Sequence, residues 1–234
     1  MRMRKKKHGE ERLLACGEFV IDKPDFSAIC QKTPVWLEIG AGKGGFACGM
    51  TAKHPDVSYF AMERVTDCVV LAAEQAKRMR DEEGKCGNLR FIIDTADNLT
   101  KLFPEESIDA MFLNFSDPWS KKGYAKRRLT HRRYLSVYFN LLKDGGVLTF
   151  KTDNVGLFDF SLEEIEAMGL KCDVITRDLH ASEYAENNVV TEYEANFSSQ
   201  GVKINMLKVT KPSGFKPEIP ENLSRDYVRR NYEN

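Results

Sequence analysis

Three short stretches of this chain carry residue types able to do chemistry. "LNFSDPWSKKGYAKRR", residues 113–128, closes an apolar run with Asp117 and follows it with Pro118, Trp119 and five lysines or arginines between Lys121 and Arg128. A carboxylate can accept hydrogen bonds from the donor edge of a base, and cations can hold phosphates, which together make the logic of nucleic-acid readout. The bland alternative is a solvated basic loop. Pro118 stiffens the turn, and Trp119 either stacks on a base or plugs the rim of a sheet.

The second stretch is "LEIGAGKGGF", residues 37–46, where Gly40, Gly42, Gly44 and Gly45 follow the acid Glu38. Glycines at the end of a strand let backbone come close to a ligand, with the N–H groups of the next helix aimed at it. The spacing is G-x-G-x-G-G rather than the G-x-G-x-x-G of dinucleotide sites, and the acid would repel a pyrophosphate. A ligand with an ammonium and a sulfonium but no phosphate fits better, and S-adenosylmethionine is such a ligand. The alternative is a plain tight turn. The third stretch, "FAMERV", carries Glu63 at the end of a strand, placed to accept from two ribose hydroxyls or else to pair with Arg64 at the surface. "IIDTADNL" then offers Asp94, Thr95, Ala96 and Asp97 where an adenine edge would rest, and spacing does not choose among them. Two later pieces point the same way. "FKTDN" brings Asp153 to the end of a strand, and "TEYEANFSSQG" offers Thr191, Glu192, Tyr193 and Glu194, either as a solvated face or as a bracket for a base.

These residues need a scaffold that gathers loop ends on one edge. Apolar runs bounded by glycine, proline and polar clusters predict strands at 35–40, 57–64, 88–94, 108–117, 147–153, 170–179 and 203–211. Helical stripes predict helices at 45–54, 67–84 with Gly84 as its cap, 132–146 closed by Gly145 and Gly146, and 157–169. Strands alternating with helices mean an α/β fold, with a mostly parallel sheet covered on both faces. Residues 178–202 read as a long polar loop, and loops of that length are functional or disordered.

Composition is that of a globular protein, with 42% hydrophobic and 30% charged residues across 234 positions. Net charge is zero, which argues against a nonspecific polycation but permits local patches. One patch is the segment above; another is Arg2, Arg4, Lys5, Lys6, Lys7 and Arg12, which alone also reads as a solvated run. The six cysteines have no short-spaced pair, so neither a zinc site nor a disulfide framework is expected, and free thiols suit a cytoplasmic protein. No apolar run approaches membrane-spanning length, and the basic start leads into no signal-peptide core.

With "MRMRKKK", "LEIGAGKGGF", "NFSDPWSKKGYAKRRLTHRRYL", "FKTDNVGLF" and "TEYEANFSSQG" in this order, the chain resembles the bacterial tRNA (guanine-N7-)-methyltransferase family over most of residues 1–210. The resemblance implies a class I methyltransferase fold, Rossmann-like with a seven-stranded sheet, S-adenosylmethionine as methyl donor, and a guanine in the tRNA variable loop as acceptor. It implies cofactor contacts at Glu38, Gly40, Gly42, Glu63, Thr95 and Asp117, with Asp117 also catalytic. Thr95 departs from an Asp common at that place. The resemblance further implies substrate contacts at Lys121, Asp153, Thr191, Glu192, Tyr193 and Glu194, and RNA contacts in the run that holds Tyr124, Lys126, Arg127 and Arg128. The expected organisation is a basic arm at 1–33, the catalytic domain at 34–211 and a polar tail at 212–234, acting as a monomer or homodimer. Rival readings are an adenine-N6 methyltransferase, a nicotinamide oxidoreductase and an RNA-binding module without catalysis.

Overall fold

The fold follows from how the apolar runs alternate. Val35–Ile39 (β1), Ser58–Met62 (β2), Leu89–Ile92 (β3), Ile108–Asn114 (β4), Leu142–Thr152 (β5), Val174–Thr176 (β6) and Asn205–Thr210 (β7) form one sheet in the order β3-β2-β1-β4-β5-β7-β6. All of this is seen in a computed structural model that describes residues 5–26 and 33–220. β3, β2, β1, β4 and β5 run parallel, while β7 is antiparallel to both β5 and β6.

Successive side chains of a strand point to opposite faces, so each strand feeds two cores. Val35, Leu37, Ile39, Met111, Leu113, Leu148 and Phe150 face the helices Leu99–Leu102 (α4), Arg132–Leu141 (α5) and Val155–Ala167 (α6). Tyr59, Ala61, Leu89 and Phe91 face Gly45–Lys53 (α2) and Thr66–Glu83 (α3), with Trp36 and Phe112 packed against them. The same alternation puts Glu38, Asn114 and Lys151 on this second face, at the carboxyl ends of β1, β4 and β5. Strand order reverses between β1 and β4, and ligands of open α/β sheets bind in the crevice at such a switch point.

Several boundaries differ from the sequence reading. The helix expected to run to Gly145–Gly146 stops at Leu141, and β5 begins at the next residue. The chain pairs through the glycines instead: Leu142 sits opposite Ile108, with a bulge before Ala110 meets Val147. A side chain at Gly146 would come 2.9 Å from the Lys143 carbonyl, so the bulge there requires glycine. The strand expected at 170–179 shrinks to Val174–Thr176. Residues 178–202 are not structureless: they hold a 3-10 turn at Leu179–Ala181 and the helix Glu192–Ser198 (α7), opened by a capping box between Thr191 and Glu194.

The boundary expected at residue 34 divides what the structure joins. The short helix Gly9–Leu14 (α1) lies on α3, where Arg12 donates two hydrogen bonds of 2.7 Å to Glu74. Cys16 and Phe19 are buried in the second core, and Val20 bridges to Phe91. Arg2 and Arg4 lie outside the described residues. At the other end, residues 212–220 wrap back: Phe215 packs edge-on to Phe139, and Asn140 donates to the Pro217 carbonyl at 2.6 Å.

Candidate active site

Four strand ends converge on one cavity of about 690 Å³. Its wall contains Ile39 and Gly40 after β1, Met62 to Val65 after β2, Asp94 to Asp97 after β3, and Asn114 to Asp117 after β4. Trp119, Gly123, Lys126 and Arg127 supply the rim, and Arg133 and Tyr134 of α5 the far side. That volume is in the range of small-molecule sites, roughly 300–1,000 Å³.

The β1 turn is built as the sequence suggests. Gly40 and Gly42 have φ of 84° and 55°, and a Cβ at either would meet nothing within 4 Å, so the backbone is left open to a ligand. Glu63 is held by two backbone donors, Gly42 N–H at 2.9 Å and Val65 N–H at 2.9 Å, which fix its carboxylate at the cavity wall. Thr95 lines the wall, with its N–H given to Asp94 Oδ1 at 2.7 Å. Asp97 also lines the wall, yet its carboxylate accepts from Tyr134 at 3.0 Å and Arg133 at 3.2 Å, and burial raises its pKa.

Asp117 is exposed, lies 3.6 Å from Arg64, and occupies a strained turn. Phe115 and Trp119, two residues to either side, have φ of 51° and 42°. Bulky residues seldom adopt this region, and such strain persists only where the surroundings enforce it. Two contacts do so. Phe115 N–H donates to the Lys151 carbonyl at 2.9 Å. Arg128 donates to the carbonyls of Pro118 at 3.0 Å and Trp119 at 3.2 Å, with its guanidinium over the Phe160 ring. Arg128, expected at the RNA, thus gives two of its five N–H donors to backbone carbonyls of its own chain and clamps the turn that carries Asp117. Arg127 instead lies 4.9 Å from the Trp119 ring and 4.7 Å from that of Tyr124, and Lys126 is exposed at the rim.

Glu38 does not line the cavity. It is 1% exposed, accepts from Asn114 Nδ2 at 3.0 Å and Tyr59 at 3.5 Å, and burial pushes its pKa up to about 7. It reaches the site through Asn114, whose amide it orients. Glu194 needs a larger correction. Rather than bracketing a base it is fully buried, with Oε2 2.8 Å from Lys151 Nζ and Oε1 accepting from Asn188 at 2.6 Å and 3.1 Å from His180. Lys151 is 1% exposed and also donates to Asn188 and the Val189 carbonyl. Burial lowers its pKa, opposed by Glu194 and Glu38. This ion pair fastens the 188–194 segment to β5. Thr191 caps α7, and Glu192 pairs with Lys43 of the glycine turn at 2.9 Å. Tyr193 approaches the β4 end: its ring is 5.0 Å from that of Phe115, and burial, with the charges of Asp153 and Asp117, raises its pKa. Lys121 is exposed at the start of the 3-10 turn Lys122–Arg127 and is not among the cavity-lining residues.

Among the described residues, four buried side-chain polar atoms lack a partner, and three of them belong to cavity-lining residues: Asn114 Oδ1, Ser116 Oγ and Arg133 Nε. Buried polar groups are rarely left unpaired, so three around one cavity mark a site for a polar ligand. Asn114, Ser116, Arg133 and Tyr134 were not singled out as site residues from sequence. The first two lie inside the "NFSD" stretch, which was the available signal, and nothing marked Tyr134.

A family model described as a putative methyltransferase matches residues 32–207. The tRNA (guanine-N(7)-)-methyltransferase of Macrococcus caseolyticus is 40% identical over 89% of this chain and 99% of its own length. The protein of the same name from Lysinibacillus sphaericus is 38% identical over 89% and 97%. The chain belongs to the tRNA (guanine-N7-)-methyltransferase family. The fold of this family member resembles that of the 16S rRNA methyltransferase KamB, with a TM-score of 0.62 at 13% identity over 82% of this chain and 96% of that one. It also resembles a 16S rRNA (adenine(1408)-N(1))-methyltransferase from Catenulisporales acidiphilia, solved with S-adenosylmethionine, with a TM-score of 0.55 at 12% identity over 92% of this chain and 96% of that one. Both likenesses bear on the fold alone, and both are to methyltransferases. Among the described residues no helix is long and apolar enough to cross a membrane.

Proposed function

We propose that this enzyme transfers the methyl group of S-adenosylmethionine to N7 of a guanine in the variable loop of tRNA, in the cytoplasm, as a monomer or homodimer. The observation that carries the reading is the shared wall of Glu63, Thr95 and Asp117 with the unpaired polar atoms of Asn114 and Ser116, rimmed by Trp119, Lys126 and Arg127. The relatives' names supply the acceptor.

The cavity's chemistry suits S-adenosylmethionine. The cofactor supplies a methyl group on a positively charged sulfur. Glu63 would hold the ribose hydroxyls, since its backbone partners leave acceptor lone pairs free. Gly40 and Gly42 offer close backbone approach, and Asn114 Oδ1 is an acceptor for an ammonium. Thr95 would border the adenine. No phosphate has to be accommodated beside Glu63 and Asp117.

Guanine N7 has an in-plane lone pair and no proton, so this chain needs no general base at the reacting atom. Its task is positioning and electrostatics. Asp117 would accept from the N1 and N2 donors of guanine, enriching the ring in electrons as N7 attacks. Asp153 and Tyr193 would confine the base, and Lys121, Tyr124, Lys126 and Arg127 would meet the polynucleotide. The test is incubation of the purified chain with S-adenosylmethionine and unmodified tRNA, followed by nucleoside analysis. 7-Methylguanosine mapped to the variable loop supports the reading. N6-methyladenosine, or no methylated nucleoside, overturns it.

A further inference from the structure

Resting on that reading, we propose that Trp119 is a catalytic platform: the target guanine stacks on its indole, and the ring's π-face stabilises the positive charge that methylation places on the purine. Trp119 stands two residues from Asp117, lines the same cavity, and is held at φ 42° by the Arg128 clamp on its own carbonyl and that of Pro118. A strained aromatic whose backbone is clamped by an arginine is a preorganised surface rather than a rim filler. The face already binds a planar, delocalised cation, because the Arg127 guanidinium lies 4.9 Å from the Trp119 centroid. Tyr124 stands edge-on to Trp119 at 5.9 Å and closes the corner, 4.7 Å from the same guanidinium.

The reaction makes a second flat cation. The N7 lone pair forms the new N–C bond as the sulfur–methyl bond breaks and its electrons return to sulfur. The charge thus moves from sulfonium to the imidazole part of the purine, and no proton leaves. An indole face attracts that charge more strongly as it develops, so its contribution is larger in the transition state than in the ground state. Arg127 then exchanges the indole for a phosphate of the bound tRNA, which it matches as a bidentate donor.

Trp36 and Trp119 are the two tryptophans of the chain. Full-length protein with Trp36→Phe and fluorinated tryptophans at position 119 weakens the π-face progressively while keeping its shape. Turnover of unmodified tRNA should fall stepwise with each fluorine while tRNA affinity changes far less. Trp119→Leu should lower kcat by about 10- to 100-fold, in keeping with the strength of base–aromatic stacking, and Trp119→Phe should recover part of it. A flat kcat across the fluorinated series, or full turnover by folded Trp119→Leu, overturns the platform. If the parent makes 7-methylguanosine and the series is flat, only this proposal falls; if the parent makes none, the functional reading falls with it.

Discussion

Replacing Glu194 with alanine tests the reassignment of that residue from ligand contact to internal fastening. The substitution leaves the Lys151 ammonium, 1% exposed, without the carboxylate now 2.8 Å away. At an effective dielectric of about 20, two charges at that distance attract by roughly 6 kcal/mol, most of it offset by the cost of taking both from water. Removing one partner removes the attraction and keeps the cost, which typically destabilises by about 3–5 kcal/mol. Here the lower end is expected. Lys151 retains Asn188 Oδ1 at 2.9 Å, the Val189 carbonyl at 3.1 Å and the Phe46 ring at 4.8 Å, with Glu38 still nearby. Loss of the capping box and of the Asn188 and His180 contacts adds to it. Urea unfolding followed by circular dichroism would measure the change, with an unaltered m-value as the sign that the same surface unfolds. The double variant Lys151→Met with Glu194→Met, which removes both charges, should be more stable than Glu194→Ala by at least about 1 kcal/mol. A loss under about 1 kcal/mol in Glu194→Ala, or strictly additive single variants, would refute the buried-pair account.

Other consequences follow from the same geometry. Glu38 has its pKa raised from the ordinary 4.5 to about 7, so the folded state holds a proton the unfolded state releases; its contribution is full below pH 4.5 and is lost as pH rises to 7, a change of about 3 kcal/mol. Glu38→Gln should flatten the stability profile over that window, and an unchanged slope would contradict it. Arg128→Met should lower kcat several-fold through relaxation of the turn at residues 118–119 while leaving the salt dependence of tRNA binding near that of the parent. A clear drop in salt slope would return Arg128 to the RNA interface. Asp117→Ala should cost about 2–4 kcal/mol of transition-state stabilisation, with smaller loss of tRNA affinity, as read from kcat and filter binding. Full turnover by that variant would remove its role.

Much of the scaffold was legible because the patterns were strong and local. α3 shows an apolar stripe ended by Gly84, which caps it at φ 68°. The wall residues Gly40, Glu63 and Asp117, and Gly42 that donates to Glu63, were legible because each follows a strand, and parallel strands carry their loops to one edge. Glu38 was legible as special but not as buried, since its burial depends on Tyr59 and Asn114, both distant in sequence. Glu194 looked like half of a solvated acidic pair because its partner, Lys151, lies 43 positions away; the T-x-x-E spacing of Thr191 and Glu194 was the local signal of a helix cap. The end of α5 was misplaced because a Lys-Asp-Gly-Gly run resembles a helix stop, and only pairing with β4 reveals it as the bulged start of β5. Arg128 and Arg127 are indistinguishable in a basic run; backbone direction alone sends one inward and the other across the aromatic corner.

The account rests on one cavity serving both methyl donor and base. A crystal structure of the full chain with S-adenosylhomocysteine measures this most directly. The prediction is ribose hydroxyls within hydrogen-bond distance of Glu63, and sulfur facing the space between Asp117 and Trp119. A cofactor bound elsewhere, or with its sulfur turned from Asp117, would contradict it.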